Sequence, residues 1–265
     1  MIKSINLEDQ MPFRKIELDR VSESVITQIE QLILRGIIRP GERLPSERDL
    51  ADRLGVSRPS LREAISTLQD RGLLTTKANA GLFVTELLGA PFSPSLTELF
   101  STHDEAVFDY ISFRSDLEGM AAERVANLGS ETDLKVIQAV FDKMKIAHDN
   151  KNSSEEASLD AQFHMAIIES SHNVFLLHMV RSMFEVLKKG IFYNRQVMFS
   201  RHTTRATLLE QHRSICNAIQ KRDARGARKT IEDHMDFIKT CLQEVKKSEA
   251  NEKIAKLRLE HTTTS

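Results

Sequence analysis

The chain has 265 residues, balanced numbers of basic and acidic side chains, and a formal charge of −1 at pH 7. This length allows two domains or one large domain, and the balanced charge excludes a uniformly basic nucleic-acid coat while permitting a local basic surface. The lack of Trp, with abundant Leu, Ile, Ala and Glu, favours a mainly α fold. No stretch is apolar and long enough to span a membrane, and no signal-peptide run is recognisable, so we predict a cytoplasmic protein without a membrane partner.

Two short helices joined by a tight turn are predicted in the N-terminal part. An amphipathic helix over residues 21–35 comes first. Ser46 is placed to cap a short second helix, which Gly55 ends. Ser57 is placed to cap a third helix that runs to about Asp70. This arrangement is typical of a helix-turn-helix.

The third helix carries paired arginines outside its apolar face. Arg58 and Arg62 stand one turn apart near its N-terminus, as major-groove reading of guanine by guanidinium groups requires. Isolated surface arginines would ordinarily be solvated, but here further arginines add a basic surface suited to phosphates: Arg35, Arg39, Arg43, Arg48 and Arg53. Residues 73–85 then predict two short strands around residues 79–81, a wing. The unit is therefore predicted to bind double-stranded DNA.

Glycine and proline interrupt every pattern over residues 89–95, which marks a domain boundary. After it, the pattern is helical. Four polar residues there each fall in the middle of the apolar face of a predicted helix: Asp160, His164, His212 and His234. Arg114 does the same on an earlier helix. Burying such groups singly would cost several kcal/mol each, so we expect them to converge.

One carboxylate and three imidazoles form a ligand set suited to a divalent metal, zinc first, with nickel, manganese or iron as alternatives. A single histidine on an apolar face is most often a core residue, whereas four such coincidences favour a metal site. Four protein ligands would close a tetrahedral zinc site, and a larger coordination number would leave positions for a small ligand.

The run LPSERDLADRLGVSRPSLREAI, residues 44–65, resembles the DNA-binding signature of GntR-superfamily transcription regulators. Residues from about 96 to 246 resemble the all-helical FCD ligand-binding domain of the FadR branch. The motifs that carry this second resemblance are FRSDLEGMAAE with Arg114, LDAQFHMAI with Asp160 and His164, EQHRSICNAI with His212, and IEDHMDF with His234.

The resemblance implies a winged helix-turn-helix over residues 14–88, a linker over 89–96, an antiparallel helical bundle over 97–247 and a polar tail over 248–265, for which we expect no ordered structure. It implies DNA contacts by Arg48, Arg58 and Arg62, phosphate contacts by Ser57 and Ser60, and a wing tip at Gly81. The family wing often carries consecutive glycines, whereas Asn79 and Ala80 stand before Gly81 here.

Two stretches look most like those of regulators that respond to L-lactate: HNVFLLHMVRSMFEVL from His172 and EQHRSICNAIQKRDARGARKTIEDHMDFIKT from Glu210. Pyruvate- and glycolate-responsive relatives are close behind, and sugar acids are a further alternative. The resemblance implies that Asp160, His164, His212 and His234 hold the metal. A small carboxylic acid could then bind beside it, with Arg114 pairing its carboxylate. We expect a homodimer that represses transcription until the effector binds, because two-fold operators demand two-fold proteins.

A metal-dependent enzyme with a DNA-binding head is the rival class. A hydrolase would need a general base beside the metal, and the helical wheels show no inward carboxylate beyond Asp160. We therefore predict that the chain is not an enzyme. A purely structural metal, with an unrelated effector, is a third reading.

Overall fold

The computed structural model describes residues 19–78, 80–86, 93–187 and 202–264. The chain divides into two compact units, residues 1–87 and 88–265. The described residues form ten helices and one two-stranded sheet, which confirms the predicted mainly α fold. Within those residues, no helix combines the length and the apolar character that crossing a membrane requires.

The N-terminal unit is a winged helix-turn-helix. Its helices are α1 (Asp19–Leu34), α2 (Glu47–Leu54) and α3 (Arg58–Asp70), and its strands are β1 (Leu74–Lys77) and β2 (Gly81–Val84). The strands pair antiparallel, with Leu74 opposite Val84. Apolar side chains of all three helices and both strands form one core under the sheet.

Local capping explains where α2 and α3 begin and end. The Ser46 hydroxyl accepts the backbone N–H of Asp49, and the Ser57 hydroxyl accepts that of Ser60, which satisfies amides that a helix start leaves open. Gly55 ends α2 with a φ of 65°, in the left-handed region that glycine adopts without strain. The predicted caps and the glycine turn are confirmed.

The wing is supported by a segment that sequence patterns did not single out. Arg43 forms a bridge to Phe83, and Leu44 N–H donates to the Leu82 carbonyl at 2.8 Å. The segment before α2 therefore lies along the outer edge of β2. Gly81 has a φ of +103°, which explains why glycine stands there, while Asn79 lies outside the described residues.

The C-terminal unit is a helical bundle. Its helices are α4 (Pro94–Thr102), α5 (Asp104–Leu128), α6 (Glu131–Asp149), α7 (Ser153–Ser170), α8 (Val174–Leu187), α9 (His202–Gln220) and α10 (Ala224–Thr264). Helix α5 packs along α10, α6 packs against α7 and α9, and α7 packs against α5. Their shared core includes the fully buried Phe163, Ile215 and Ile231.

Two predicted boundaries differ from the structure. Part of the predicted linker, residues 89–92, lies outside the described residues, and residues 94–96 already form the first turn of α4 behind the cap Ser93. The polar tail is not irregular, since α10 continues through it to Thr264. No Gly or Pro occurs after Gly226, and Lys, Glu, Ala and Leu are good helix formers, so a polar composition here does not prevent a helix.

A buried ion pair links α7 to α9 away from the four convergent residues. The Arg205 guanidinium donates to both carboxylate oxygens of Glu156, with Nε at 3.0 and 3.1 Å, and also to the His148 carbonyl. Arg205 is 8% and Glu156 3% exposed. The pair therefore fixes the first turns of α7 and α9 against each other.

Replacing Arg205 with Ala should leave the Glu156 carboxylate buried with only His148 Nδ1 nearby, 3.6 Å from Oε2, and lower the free energy of unfolding by about 3 kcal/mol. Urea denaturation followed by circular dichroism measures this change. Arg225→Ala, which removes an exposed arginine of α10, is the matched control and should change stability by less than about 0.5 kcal/mol. Equal effects of the two substitutions would contradict the assigned role of the pair.

Candidate functional site

Three helices bring the four predicted metal ligands to one buried point. Asp160 and His164 lie one turn apart on α7, His212 on α9 and His234 on α10. Their exposed fractions are 3%, 1%, 0% and 0%, and one candidate ligand atom from each lies within 4.8 Å of all the others. The sequence prediction that these side chains converge is therefore met.

The distances between these atoms are short. His212 Nε2 lies 3.0 Å from Asp160 Oδ1 and 3.2 Å from His164 Nε2, and His164 Nε2 lies 3.8 Å from Asp160 Oδ1. Four ligands about 2.0–2.2 Å from one zinc ion would stand roughly 3.3 Å apart at the corners of a tetrahedron. The spacing is thus close to that of a compact coordination shell.

Each imidazole has an oxygen atom beside its Nδ1, which leaves Nε2 for the centre. His212 Nδ1 donates to the Leu208 carbonyl at 2.6 Å, and His234 Nδ1 to Gln211 Oε1 at 2.9 Å. His164 Nδ1 lies 2.5 Å from Glu118 Oε2, a close ion-pair contact that lacks the angles of a hydrogen bond. Because carbonyl and carboxylate oxygens only accept, the proton of each neutral ring belongs on Nδ1, and the Nε2 lone pairs face one another.

This arrangement fits a divalent cation. His234 Nε2 is buried and has no hydrogen-bond partner among the described residues. A buried acceptor without a partner is costly, and converging lone pairs repel each other unless a positive charge lies between them. One carboxylate and three imidazoles, all backed by outer partners, are a common donor set for transition metals. These four residues could hold such an ion.

Burial lowers the pKa of His164 below its usual 6.5, and it lowers the pKa of His234 further still, with His212 and His164 adding to the shift. Below about pH 6.5 the native state therefore binds fewer protons than the unfolded chain. The free energy of unfolding must then decrease as the pH is lowered through this range.

We expect the chelator-treated protein to lose stability as the pH falls from 7.5 to 5.5. The loss should be steepest below pH 6.5, at up to about 1.4 kcal/mol per pH unit for each of the two histidines. Urea unfolding at a series of pH values measures it. His234→Gln should flatten the dependence, and a stability independent of pH over this range would refute the prediction.

Glu118 is a member of the site that sequence reasoning missed. It is 2% exposed, and its Oε1 accepts from Arg114 Nε at 2.6 Å while its Oε2 contacts His164. The expectation that Asp160 is the only inward carboxylate is therefore wrong. Glu118 follows Arg114 by one turn, a spacing that could have revealed it.

Glu118 does not have the character of a catalytic base. Burial opposes its ionisation, but Arg114 and His164 outweigh burial and lower its pKa to about 2. Such a carboxylate is a weak base, and both its oxygens already face donors. Arg114 is itself 7% exposed, and its Nη2 is buried without a hydrogen-bond partner among the described residues.

The predicted DNA-binding residues lie on α2, α3 and the wing. Arg48, Ser57, Arg58, Arg62 and Gly81 are exposed. Arg62 Nε donates to Glu47 Oε2 at 2.7 Å, an exposed ion pair that water or phosphate can replace.

Ser60 differs from its predicted role. It is 3% exposed, and its hydroxyl hydrogen-bonds to that of Ser57 at 2.9 Å. A direct phosphate contact by Ser60 does not fit this position, because its side chain lies on the side of α3 that faces the core. It supports the cap Ser57 instead.

Comparisons with known proteins match both units. The description "Bacterial regulatory proteins, gntR family" matches residues 21–84, and "FCD domain" matches residues 109–237. Similar proteins include the Glc operon transcriptional activator of Escherichia coli K12, 32% identical over 234 residues, 87% of this chain and 92% of that protein. The "Putative L-lactate dehydrogenase operon regulatory protein" of the same strain is 32% identical over 251 residues, 93% of this chain and 96% of that protein.

The Uxu operon transcriptional regulator of Escherichia coli K12 is 30% identical over 231 residues, 85% of this chain and 88% of that protein. A solved structure described as Streptococcus agalactiae GntR matches with a TM-score of 0.51 and 24% identity, over 83% of this chain and 99% of that one. That structural likeness supports the fold.

Proposed function

This chain belongs to the GntR family of bacterial transcriptional regulators and carries an FCD domain, and it is therefore not an enzyme. From this starting point, we propose that a small carboxylic acid bound at the buried histidine cluster controls the affinity of the protein for operator DNA. The observation that carries this proposal concerns two buried nitrogen atoms, His234 Nε2 and Arg114 Nη2. Neither has a hydrogen-bond partner among the described residues, and they lie on either side of Glu118 and His164. A cation would satisfy His234 Nε2, and an anionic ligand would satisfy Arg114 Nη2.

Zinc is the proposed metal, held by Asp160 Oδ1 and the three Nε2 atoms. When bound, the ion would supply an electrophilic position for a hydroxyl or carboxylate oxygen. Arg114 then provides the charge-assisted contact to the effector carboxylate. The surrounding apolar core excludes water, which strengthens both interactions.

L-lactate is the proposed effector. It offers a carboxylate for Arg114 and a neighbouring hydroxyl, and the relative described as a putative regulator of an L-lactate dehydrogenase operon supports this choice. Pyruvate, glycolate and sugar acids share the carboxylate and are the alternatives that a binding experiment must separate.

On the DNA, Arg58 and Arg62 are proposed to read guanine in the major groove, with Arg48 and Ser57 on phosphates and Gly81 at the wing tip. A homodimer would present two copies of α3 to a two-fold operator. The effector and metal would be bound by groups from four helices, namely the ligands on α7, α9 and α10 and the arginine on α5. Effector binding could therefore favour one arrangement of these helices over another. We propose that this change lowers operator affinity and relieves repression.

The proposal is tested by calorimetric titration of the zinc-loaded protein with L-lactate, then with D-lactate, glycolate and pyruvate. We expect saturable binding with one acid clearly preferred. If none of the four acids binds, the metal is structural and the effector belongs to another chemical class, which would overturn the proposal.

A further inference from the structure

We infer that Glu118 is the positioning residue that couples the effector site to the metal site, so that each ligand raises the affinity for the other. This inference rests on the proposed function, because it requires that both ligands bind. Glu118 itself need touch neither of them. It acts through Arg114 on one side and His164 on the other.

The geometry places Glu118 between the two sites. Its Oε1 lies 2.6 Å from Arg114 Nε, and its Oε2 lies 2.5 Å from His164 Nδ1. Each oxygen thus serves a different partner, and the carboxylate is 2% exposed, so water does not screen either contact. A single negative charge is shared between a guanidinium and a ring that is a candidate metal ligand.

Arg114 has an unused donor for an effector. Its Nε is engaged by Glu118, whereas Nη2 is buried and has no hydrogen-bond partner among the described residues. A small cavity opens beside it, lined by Tyr110, Leu117, Val180 and Met183 together with Arg114 and Glu118. Its walls are apolar and its volume of about 10 Å³ holds roughly one water molecule, so an effector carboxylate would reach Arg114 only after these side chains move apart.

The coupling follows from how the shared charge is divided. A cation at His164 Nε2 polarises the ring and strengthens its Nδ1–H as a donor, which draws Glu118 toward the histidine. Arg114 is then less neutralised and attracts an anion more strongly. Conversely, an anion on Arg114 competes with Glu118, whose charge becomes more available to His164 and makes that ring a better ligand. Because binding free energies are linked, the two effects must be equal in size.

A second buried pair in the same unit supplies a matched control. Glu156 is also a fully enclosed carboxylate that pairs with one arginine, Arg205, and stands near a histidine, His148. None of these residues belongs to the ligand cluster. Replacing Glu156 therefore disturbs a comparable buried ion pair without touching Arg114 or His164.

The experiment measures coupling rather than affinity alone. Calorimetry gives the affinity for L-lactate with and without Zn²⁺, and the affinity for Zn²⁺ with and without L-lactate, in the wild type, Glu118→Gln and Glu156→Gln. In Glu118→Gln only one of the two terminal atoms is still an acceptor, and the NH₂ group faces a donor, so one of the two contacts is broken.

We expect a coupling of roughly 10- to 100-fold in the wild type and in Glu156→Gln, and a coupling at least about fivefold smaller in Glu118→Gln. Any coupling left would come from direct contact of the effector with the metal. If Glu118→Gln does not fold, Glu118→Asp answers the same question, because its shorter carboxylate keeps the charge but cannot reach both partners.

The possible outcomes separate the two claims. Undiminished coupling in a folded Glu118 variant would overturn this inference and leave the proposed function standing. An equal loss in Glu156→Gln would also overturn it, since the effect would then be one of general destabilisation. A wild type that binds neither Zn²⁺ nor L-lactate would remove the proposed function, and this inference with it.

Discussion

Replacing His212 with Ala is expected to abolish metal binding and the effector response together. His212 Nε2 is the atom that stands closest to both Asp160 and His164, at 3.0 and 3.2 Å, so its loss removes the middle of the donor set. Loss of an outer-shell partner alone typically costs about 10- to 100-fold in metal affinity, and loss of a direct ligand should cost more. Zinc affinity by competition with a chelator, and L-lactate binding by calorimetry, measure the two effects.

Two further variants make this result interpretable. His172→Ala removes an exposed histidine that bonds to Asp133 at the end of α7, and it should leave both affinities unchanged. His212→Gln keeps most of the side-chain volume, which separates ligand loss from the cavity that alanine opens in the core. Stoichiometric zinc and a normal effector response in His212→Ala would reject the site.

The second large effect is expected on the DNA. Arg62→Ala should weaken binding to the preferred operator by roughly tenfold to a hundredfold and relax the preference at one base pair, because a bidentate contact to guanine discriminates between bases. Selection of binding sites from a random DNA pool, followed by affinity measurements on single-base variants, gives both quantities.

Arg71→Ala is the matched control for this substitution. Arg71 is also exposed and pairs with a glutamate, Glu30, at 2.6 Å, but it lies at the other end of α3. Arg71→Ala should weaken operator binding only slightly and leave the base preference intact. A base preference unchanged in Arg62→Ala would remove Arg62 from direct readout, even if overall affinity fell.

The convergence of the four ligands could be predicted because apolar helix faces must pack on one another. A polar residue in the middle of such a face is carried into the shared core with the face, so Asp160, His164, His212 and His234 had to meet. The same reasoning predicted the burial of Arg114. Glu118 lies on the same face one turn later, but glutamate is so common on exposed helix surfaces that a single one gives no sign of burial.

Other features could not be obtained from local patterns. The side of α3 on which Ser60 lies depends on how α1 and α3 pack, so its burial follows from tertiary structure, and the resemblance alone suggested a phosphate contact. The Glu156–Arg205 pair joins residues far apart in the chain and leaves no periodic trace. The polar composition of residues 248–265 favours disorder, whereas α10 continues to Thr264 because the helix propensity of these residues is high.

The most direct test is the operator affinity of the zinc-loaded protein as a function of L-lactate concentration. Fluorescence anisotropy with a DNA site selected by the protein gives this quantity, and His212→Ala provides the unresponsive reference. We predict that saturating L-lactate lowers the affinity by at least about tenfold in the wild type and leaves it unchanged in the variant. An affinity that stays constant at every L-lactate concentration, in a protein that demonstrably binds L-lactate, would contradict the account.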